Sequence, residues 1–105
     1  AQALDMGQTG RGEVVYRNLH ATYIKLKEYE KAYKLLSRFV NPFGLEADYR
    51  DIYELGMSAA CVDEISEAVT FLKIARMKAP EADVEYIEKI DNNLAKLIEA
   101  QKSSP

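Results

Sequence analysis

The fold of this chain is decided by residues 52–80, which read IYELGMSAACVDEISEAVTFLKIARMKAP. Apolar and small residues recur there with the period of a helix. The pattern is interrupted by the polar residues Asp63 and Glu64 and then continues to Pro80. The same succession occurs earlier in the chain at a fixed offset of 36 residues. A period of this size is typical of stacked supersecondary units. The matching pairs are Leu19 and Leu55, Leu26 and Val62, Tyr29 and Ile65, Ala32 and Ala68, Leu36 and Leu72, and Phe39 and Ala75.

Each copy of the pattern predicts two helices joined by a tight turn. The first copy predicts helices from about Glu13 to Leu26 and from Tyr29 to Val40, the first of them with an inward stripe of Val15, Leu19, Tyr23 and Leu26. The second copy predicts helices from about Glu46 to Cys61 and from Ile65 to Lys78, with Asp63 as a plausible cap in the turn between them. A fifth helix with one apolar stripe is predicted after Pro80. The predicted organisation is a flexible lead-in over residues 1–12, one helical domain over 13–101 (first unit 13–46, second unit 49–82, capping helix 83–101) and a frayed tail over 102–105.

The composition fits one small folded domain. Of the 105 residues, 48% are hydrophobic and 30% are charged, which are ordinary values. The net charge of −3 argues against nucleic-acid binding, and no apolar run approaches the roughly 18 residues of a membrane span. Residues 1–45 hold seven Lys or Arg against four Asp or Glu, whereas residues 46–105 hold seven against thirteen. A basic first half and an acidic second half favour head-to-tail contact or an oppositely charged partner. The alternative is that the charges lie on solvated helix faces and differ between the halves by chance.

The two units resemble tetratricopeptide repeats, a family of superhelical stacks of paired antiparallel helices. The second unit carries Ile52, Leu55, Gly56, Ala68, Leu72, Ala75 and Pro80 at the family spacing, and the first carries Tyr16, Leu19, Tyr23, Tyr29, Ala32 and Leu36. The first unit departs from the family at His20, where a small residue is usual. The resemblance implies an all-α, right-handed superhelical stack of two antiparallel helical hairpins with a fifth, capping helix. It also implies close helix packing at the small residues Ala32, Gly56 and Ala68.

In this family the first helix of each pair lines a concave groove that holds another polypeptide. The resemblance therefore implies a protein–protein interaction module that binds a peptide or a partner helix, without enzymatic activity. It places Arg17, Ala21, Ile24, Lys25, Arg50, Tyr53, Met57 and Ala60 on the groove, and we expect the partner contacts to be Arg17, Ile24, Lys25, Arg50, Tyr53 and Met57. Two Arg with Tyr and Met between them suit an acidic peptide. The alternative for Tyr53 and Met57 is packing against the fifth helix.

Residues with chemical reactivity are few and scattered. His20 is the single His and Cys61 the single Cys, and no motif pairs the two. We expect His20 to be a packed, hydrogen-bonded core residue and Cys61 to be a small buried hydrophobe. A lone His does not assemble a metal site. The sequence thus predicts no catalytic residues, no metal and no cofactor.

Other interpretations stay open at the level of sequence. Two units are fewer than the roughly three that such stacks usually need, so the chain is alternatively a self-association unit that forms a homodimer. A further alternative is an accessory segment of a larger enzyme or assembly factor. The chain starts at Ala1 without an initiator Met, as a trimmed or a processed form would. A soluble cytoplasmic protein is favoured over an exported one, but the sequence does not identify the compartment.

Overall fold

The computed structural model describes residues 9–103, and it describes side chains from residue 15 to residue 102. Within that range all regular structure is helical, which confirms the all-α prediction. Residues 1–8 of the lead-in predicted over 1–12, and residues 104 and 105 of the tail predicted over 102–105, lie outside the described residues. Residues 102 and 103 belong to α5, so the prediction of a frayed tail is wrong for them. The helices described are α1 Thr9–Lys25, α2 Tyr29–Phe39, α3 Tyr49–Cys61, α4 Ile65–Lys78 and α5 Val84–Ser103.

The helix boundaries differ from the predicted ones mainly at the start of α1 and of α3. α1 begins at Thr9, so residues 9–12 are helical rather than part of a lead-in. Gly10 and Gly12 lower helix propensity but, unlike Pro, do not exclude the conformation. α3 begins at Tyr49 rather than near Glu46, because the Asp48 carboxylate accepts a hydrogen bond from the Arg50 N–H at 2.8 Å and caps the helix there.

The two hairpin turns share one backbone geometry. Lys27 and Asp63 lie 36 residues apart and both adopt the left-handed conformation, with φ of 61° and 67°. In each turn the N–H of the next residue donates to the carbonyl five residues earlier, at 2.9 Å. This is the Schellman arrangement that ends a helix. Asp63 therefore follows the end of α3, and its predicted capping role is wrong, because the N-cap of α4 is Glu64, whose side chain makes no capping hydrogen bond.

Each helix packs against its neighbours in the chain, and further contacts link alternate helices. An ion pair between Arg17 and Asp51 joins α1 to α3. The Tyr33 hydroxyl donates a hydrogen bond of 2.8 Å to the Glu67 carboxylate and joins α2 to α4. The Tyr53 hydroxyl accepts a hydrogen bond from α5. The fold thus has one row formed by α1, α3 and α5, and a second row formed by α2 and α4.

The core lies mainly between α3, α4 and α5. The close packing predicted at small residues is confirmed, since Ala32 and Ala68 are fully buried. A Cβ atom at Gly56 would lie 2.9 Å from Leu72 Cδ2, so a glycine is needed for α3 and α4 to approach this closely. The largest fully buried side chains are Ile52, Leu55, Leu72 and Ile90.

The first helix buries a different face from the one predicted. Val15, Leu19 and Leu26 are exposed, whereas Tyr16 and His20 are buried. The reason is the position of the neighbouring helices, because Tyr16 stacks on Phe39 of α2 and His20 contacts Ser58 of α3. No element within the described residues covers the opposite side. The apolar stripe of α1 was correctly recognised as helical, but its inward orientation was wrong for Val15, Leu19 and Leu26, whereas Tyr23 is half-buried.

Candidate functional site

A concave surface lies between α1 and α3, with α5 at one side. Its volume is about 550 Å³. Four of the six predicted contact residues line it, namely Arg17, Ile24 and Lys25 of α1 and Arg50 of α3. Two separate helices thus contribute the predicted residues to one groove. Other lining residues include Ala21, Asp51, Glu54 and Tyr86.

Both arginines of the groove already hold a carboxylate of this chain. Arg17 Nη2 lies 2.9 Å from Asp51 Oδ2. Arg50 binds Asp48 through two atoms, Nη2 to Oδ2 at 2.9 Å and Nε to Oδ1 at 3.1 Å. The hydrogen bonds from Arg50 lower the pKa of the Asp48 carboxyl. A ligand carboxylate would therefore share these arginines with Asp48 and Asp51 rather than meet free cations.

Tyr53 and Met57 do not line this groove. Tyr53 is 5% exposed, its hydroxyl accepts a hydrogen bond of 2.9 Å from Asn93 Nδ2, and its ring meets the Tyr86 ring edge-on at 5.5 Å. Met57 is half-buried and packs against the core. The assignment of Tyr53 to the partner surface is therefore wrong, and the alternative of packing against the fifth helix holds for it. α5 packs against the side of α3 that carries Tyr53, which the resemblance had assigned to the groove.

Glu54 and Tyr86 are among the groove residues that the sequence analysis missed. Desolvation raises the pKa of the Glu54 carboxyl, and the nearby charge of Lys89 opposes that rise. Burial also raises the pKa of Tyr86, to about 12. Glu54 lies one helical turn after Arg50, so the face that carries Arg50 could have indicated it. Tyr86 belongs to α5, and only the packing of that helix brings it to the groove.

The remaining reactive residues have contrasting positions. His20 is buried, and its Nε2 lies 2.9 Å from the Oγ of Ser58, so the prediction of a hydrogen-bonded core His is confirmed. Burial lowers the pKa of His20 and keeps its imidazole neutral at neutral pH. Cys61 is exposed, and its predicted burial is wrong. It lies two residues after the buried Ala59, about 200° further round the helix.

Comparison with known proteins gives no relative for this chain. No family model, no curated protein and no solved structure matches it. Over the described residues, no group of three or more His, Cys, Asp or Glu side chains is placed to hold a metal ion. In the same part of the chain, no helix has the length and apolar character needed to cross a membrane.

Proposed function

We propose that this chain is a non-enzymatic protein–protein interaction module that binds a peptide or a partner helix in the groove between α1, α3 and α5. The proposed arrangement is a right-handed, tetratricopeptide-like stack of two antiparallel hairpins with α5 as its cap. The observation that carries the proposal is the convergence of Arg17, Ile24, Lys25 and Arg50 on one concavity of about 550 Å³. Neither helix forms this surface alone, so folding is what assembles it.

The size and lining of the groove suit a segment of polypeptide. Its volume lies within the range of roughly 300–1,000 Å³ that ligand pockets occupy. Ala21 and Ile24 offer apolar contact from α1, and the half-buried Tyr86 ring offers it from α5. An amphipathic helix or an extended peptide uses such a surface by inserting one or two apolar side chains. The rim charges then orient the peptide.

The charges of the groove favour an acidic residue at one end of the ligand. Arg17 and Arg50 are each shared with a carboxylate of this chain. Lys25, at the end of α1, is exposed and forms no ion pair among the described residues. The proposed ligand therefore pairs apolar side chains for Ile24 and Tyr86 with an acidic group for Lys25. Its affinity should fall as salt screens the charge.

The test first selects, from a library of random displayed peptides, those that bind the intact chain. Fluorescence anisotropy then measures the affinity of the enriched peptides for the chain and its variants. Ala21→Trp fills the groove from an exposed position without changing charge, and Lys25→Glu reverses the charge at Lys25. Lys34→Glu makes the same charge reversal on α2, at an exposed position that does not line the groove. We expect Ala21→Trp and Lys25→Glu to weaken binding at least about tenfold, and Lys34→Glu to leave it unchanged.

Two outcomes would refute the proposal. One is a selection that enriches no peptide. The other is a set of enriched peptides that bind Ala21→Trp as well as they bind the parent chain. Thermal melts of each variant distinguish lost binding from lost folding. Tyr53→Ala is unsuitable for this purpose, because Tyr53 is buried and its removal would disturb the contact with α5.

A further inference from the structure

Two tyrosine rings at the side of the groove hold a positive charge. Tyr53 of α3 and Tyr86 of α5 meet edge-on, with their ring centroids 5.5 Å apart. The Nζ atom of Lys89, which follows Tyr86 on α5, lies 5.0 Å from the centroid of the Tyr86 ring and 5.3 Å from that of the Tyr53 ring. An ammonium within about 6 Å of an aromatic face is attracted by the electrons of the ring. We call Tyr53 and Tyr86 the tyrosine pair, and its rings form a surface that attracts a cation.

A carboxylate that forms no ion pair within the described part of the chain lies next to the tyrosine pair. Glu54 follows Tyr53 in the chain and lines the groove together with Tyr86. Its side chain accepts no hydrogen bond and meets no Lys or Arg at ion-pair distance among the described residues. Asp51, which also lines the groove, is already paired with Arg17. Glu54 is therefore the acidic side chain of the groove that is open to a cation of a ligand.

The surroundings of Glu54 favour pairing with a cation. Desolvation raises the pKa of its carboxyl, and the charge of Lys89 opposes that rise from beyond ion-pair distance. A second cation close to the carboxylate compensates for more of the lost hydration. Burial, followed by the charge of Glu54, raises the pKa of Tyr86 to about 12, because a phenolate there would lie near the carboxylate. The carboxylate and the Tyr86 ring are therefore close enough to contact one cation together.

The basic Lys25 and the acidic Glu54 lie at different positions along the groove. Lys25 follows Arg17 by eight residues, which corresponds to about 12 Å along α1. Glu54 follows Asp51, the partner of Arg17, by three residues, which corresponds to about 4.5 Å along α3. The contacts from α1 to α3 occur in the same order along both helices, so the two distances point the same way. Lys25 and Glu54 are thus separated by about 7 Å along the groove.

We propose that Glu54 and Tyr86 bind a basic side chain of the peptide ligand, with its cation against the Tyr86 ring and beside the Glu54 carboxylate. This inference rests on the proposed peptide-binding function and specifies the ligand of that site. The ligand then carries an acidic residue for Lys25 and a basic residue for Glu54. Their separation corresponds to about two positions of an extended peptide or about four positions of a helix. The order of the two charges fixes the direction in which the peptide lies.

Lys89 is the intramolecular competitor of the ligand cation. Its side chain is exposed, so its ammonium can move from the tyrosine pair into water. A ligand cation in its place keeps the contact with the rings and gains a pairing with Glu54 that Lys89 does not make. Lys89→Met removes the competing charge and keeps an unbranched side chain. It should strengthen the binding of a peptide with a basic residue by about two- to fivefold.

The peptides enriched by selection on the intact chain are the probes for the test. We expect them to share a Lys or Arg at a fixed spacing from an Asp or Glu. In a synthetic copy, norleucine replaces the basic residue, which removes the charge and keeps an unbranched side chain. Fluorescence anisotropy then compares both peptides on the parent chain and on Glu54→Gln. We expect norleucine to weaken binding about tenfold on the parent chain and about threefold on Glu54→Gln, where only the contact with Tyr86 is lost.

Glu88→Gln is the matched control, since it removes a carboxylate from an exposed position of α5 that does not line the groove, and it should behave as the parent chain does. Thermal melts should show that all variants remain folded. Equal losses on the parent chain and on Glu54→Gln overturn the proposal, because the cation would then lie away from Glu54. Enriched peptides without a basic residue, or a Lys89→Met variant that binds no more tightly, overturn it as well. These three outcomes leave the proposed peptide binding intact, whereas a selection that enriches no peptide refutes both proposals.

Discussion

The two helical hairpins carry the same residue pattern but bury different parts of it. Leu55 of α3 is 2% exposed, whereas Leu19, its counterpart 36 residues earlier, is 38% exposed. Ala75 of α4 is fully buried, whereas its counterpart Phe39 is half exposed. The second hairpin has α2 on one side and α5 on the other, but the first has a described neighbour on one side. An apolar pattern therefore indicates which faces are suited to packing, and the neighbouring helices decide which faces are packed.

The largest expected difference concerns Leu55 and Leu19. Leu55→Ala leaves a cavity in the core and should lower the free energy of unfolding by about 2–5 kcal/mol. Leu19→Ala removes a side chain already in contact with solvent and should lower it by less than about 1 kcal/mol. Urea unfolding followed by circular dichroism measures both. Equal losses would mean that Leu19 is covered in solution by something absent from the described fold.

A smaller effect is expected at the two turns, where a non-glycine residue adopts the left-handed conformation. Lys27→Gly should raise the free energy of unfolding by about 0.5–1 kcal/mol, because glycine removes the Cβ strain at φ 61°. Asp63→Gly should give a smaller gain, since Asp tolerates this conformation better. Thermal melts of the two variants measure the difference. Lys27→Ala, which keeps the Cβ atom, serves as the control and should give no gain.

The smallest effect concerns His20, which occupies the place that Gly56 holds in the second hairpin. Burial lowers the pKa of His20 from its ordinary value of 6.5. Well above pH 6.5 the imidazole is neutral in both the folded and the unfolded chain, so its titration does not affect stability. As the pH falls below 6.5 the unfolded chain binds a proton that the folded chain does not, and stability decreases. His20→Gln retains a hydrogen-bonding group but does not titrate, so it should lack this decrease.

The measurement compares melting temperatures of the parent chain and His20→Gln between about pH 7.5 and about pH 5. The difference between the two proteins is the relevant quantity, because Glu54, whose pKa is raised, contributes with the opposite sign in both. Parallel pH profiles would show that the folded state accommodates a protonated His20. Replacing His20 would then leave the pH dependence of the melting temperature unchanged.

Local features of the fold were predictable from the sequence because they depend on adjacent residues. The starts of α2 at Tyr29 and of α4 at Ile65 were predicted correctly, as was the end of α4 at Lys78. Pro80 and the turn residues act within one or two positions of themselves. The burial of Ala32 and Ala68 was also predictable, since only small residues fit at such positions.

Features that depend on a neighbouring helix were not predictable in the same way. The resemblance placed Arg17, Ile24 and Lys25 together, and they do line one concavity because they share one face of a regular helix. Tyr53 was misplaced, because the path of α5 decides whether it is buried or open. The same limit explains the omission of Tyr86. The exposure of Cys61 depends on which side of α3 meets α4, which periodicity alone does not determine.

The packing of each helix against the helices next to it in the sequence affects how quickly the protein folds. Among the described residues, most close residue pairs lie fewer than 12 positions apart in the sequence. The described residues form helices and no strands, so folding of that part of the chain does not require distant strands to pair. Helical proteins with such local contacts fold in microseconds to milliseconds. Each hairpin closes over a few tens of residues, so folding can begin at the turn after α3 and spread outward without waiting for the two ends of the chain to meet.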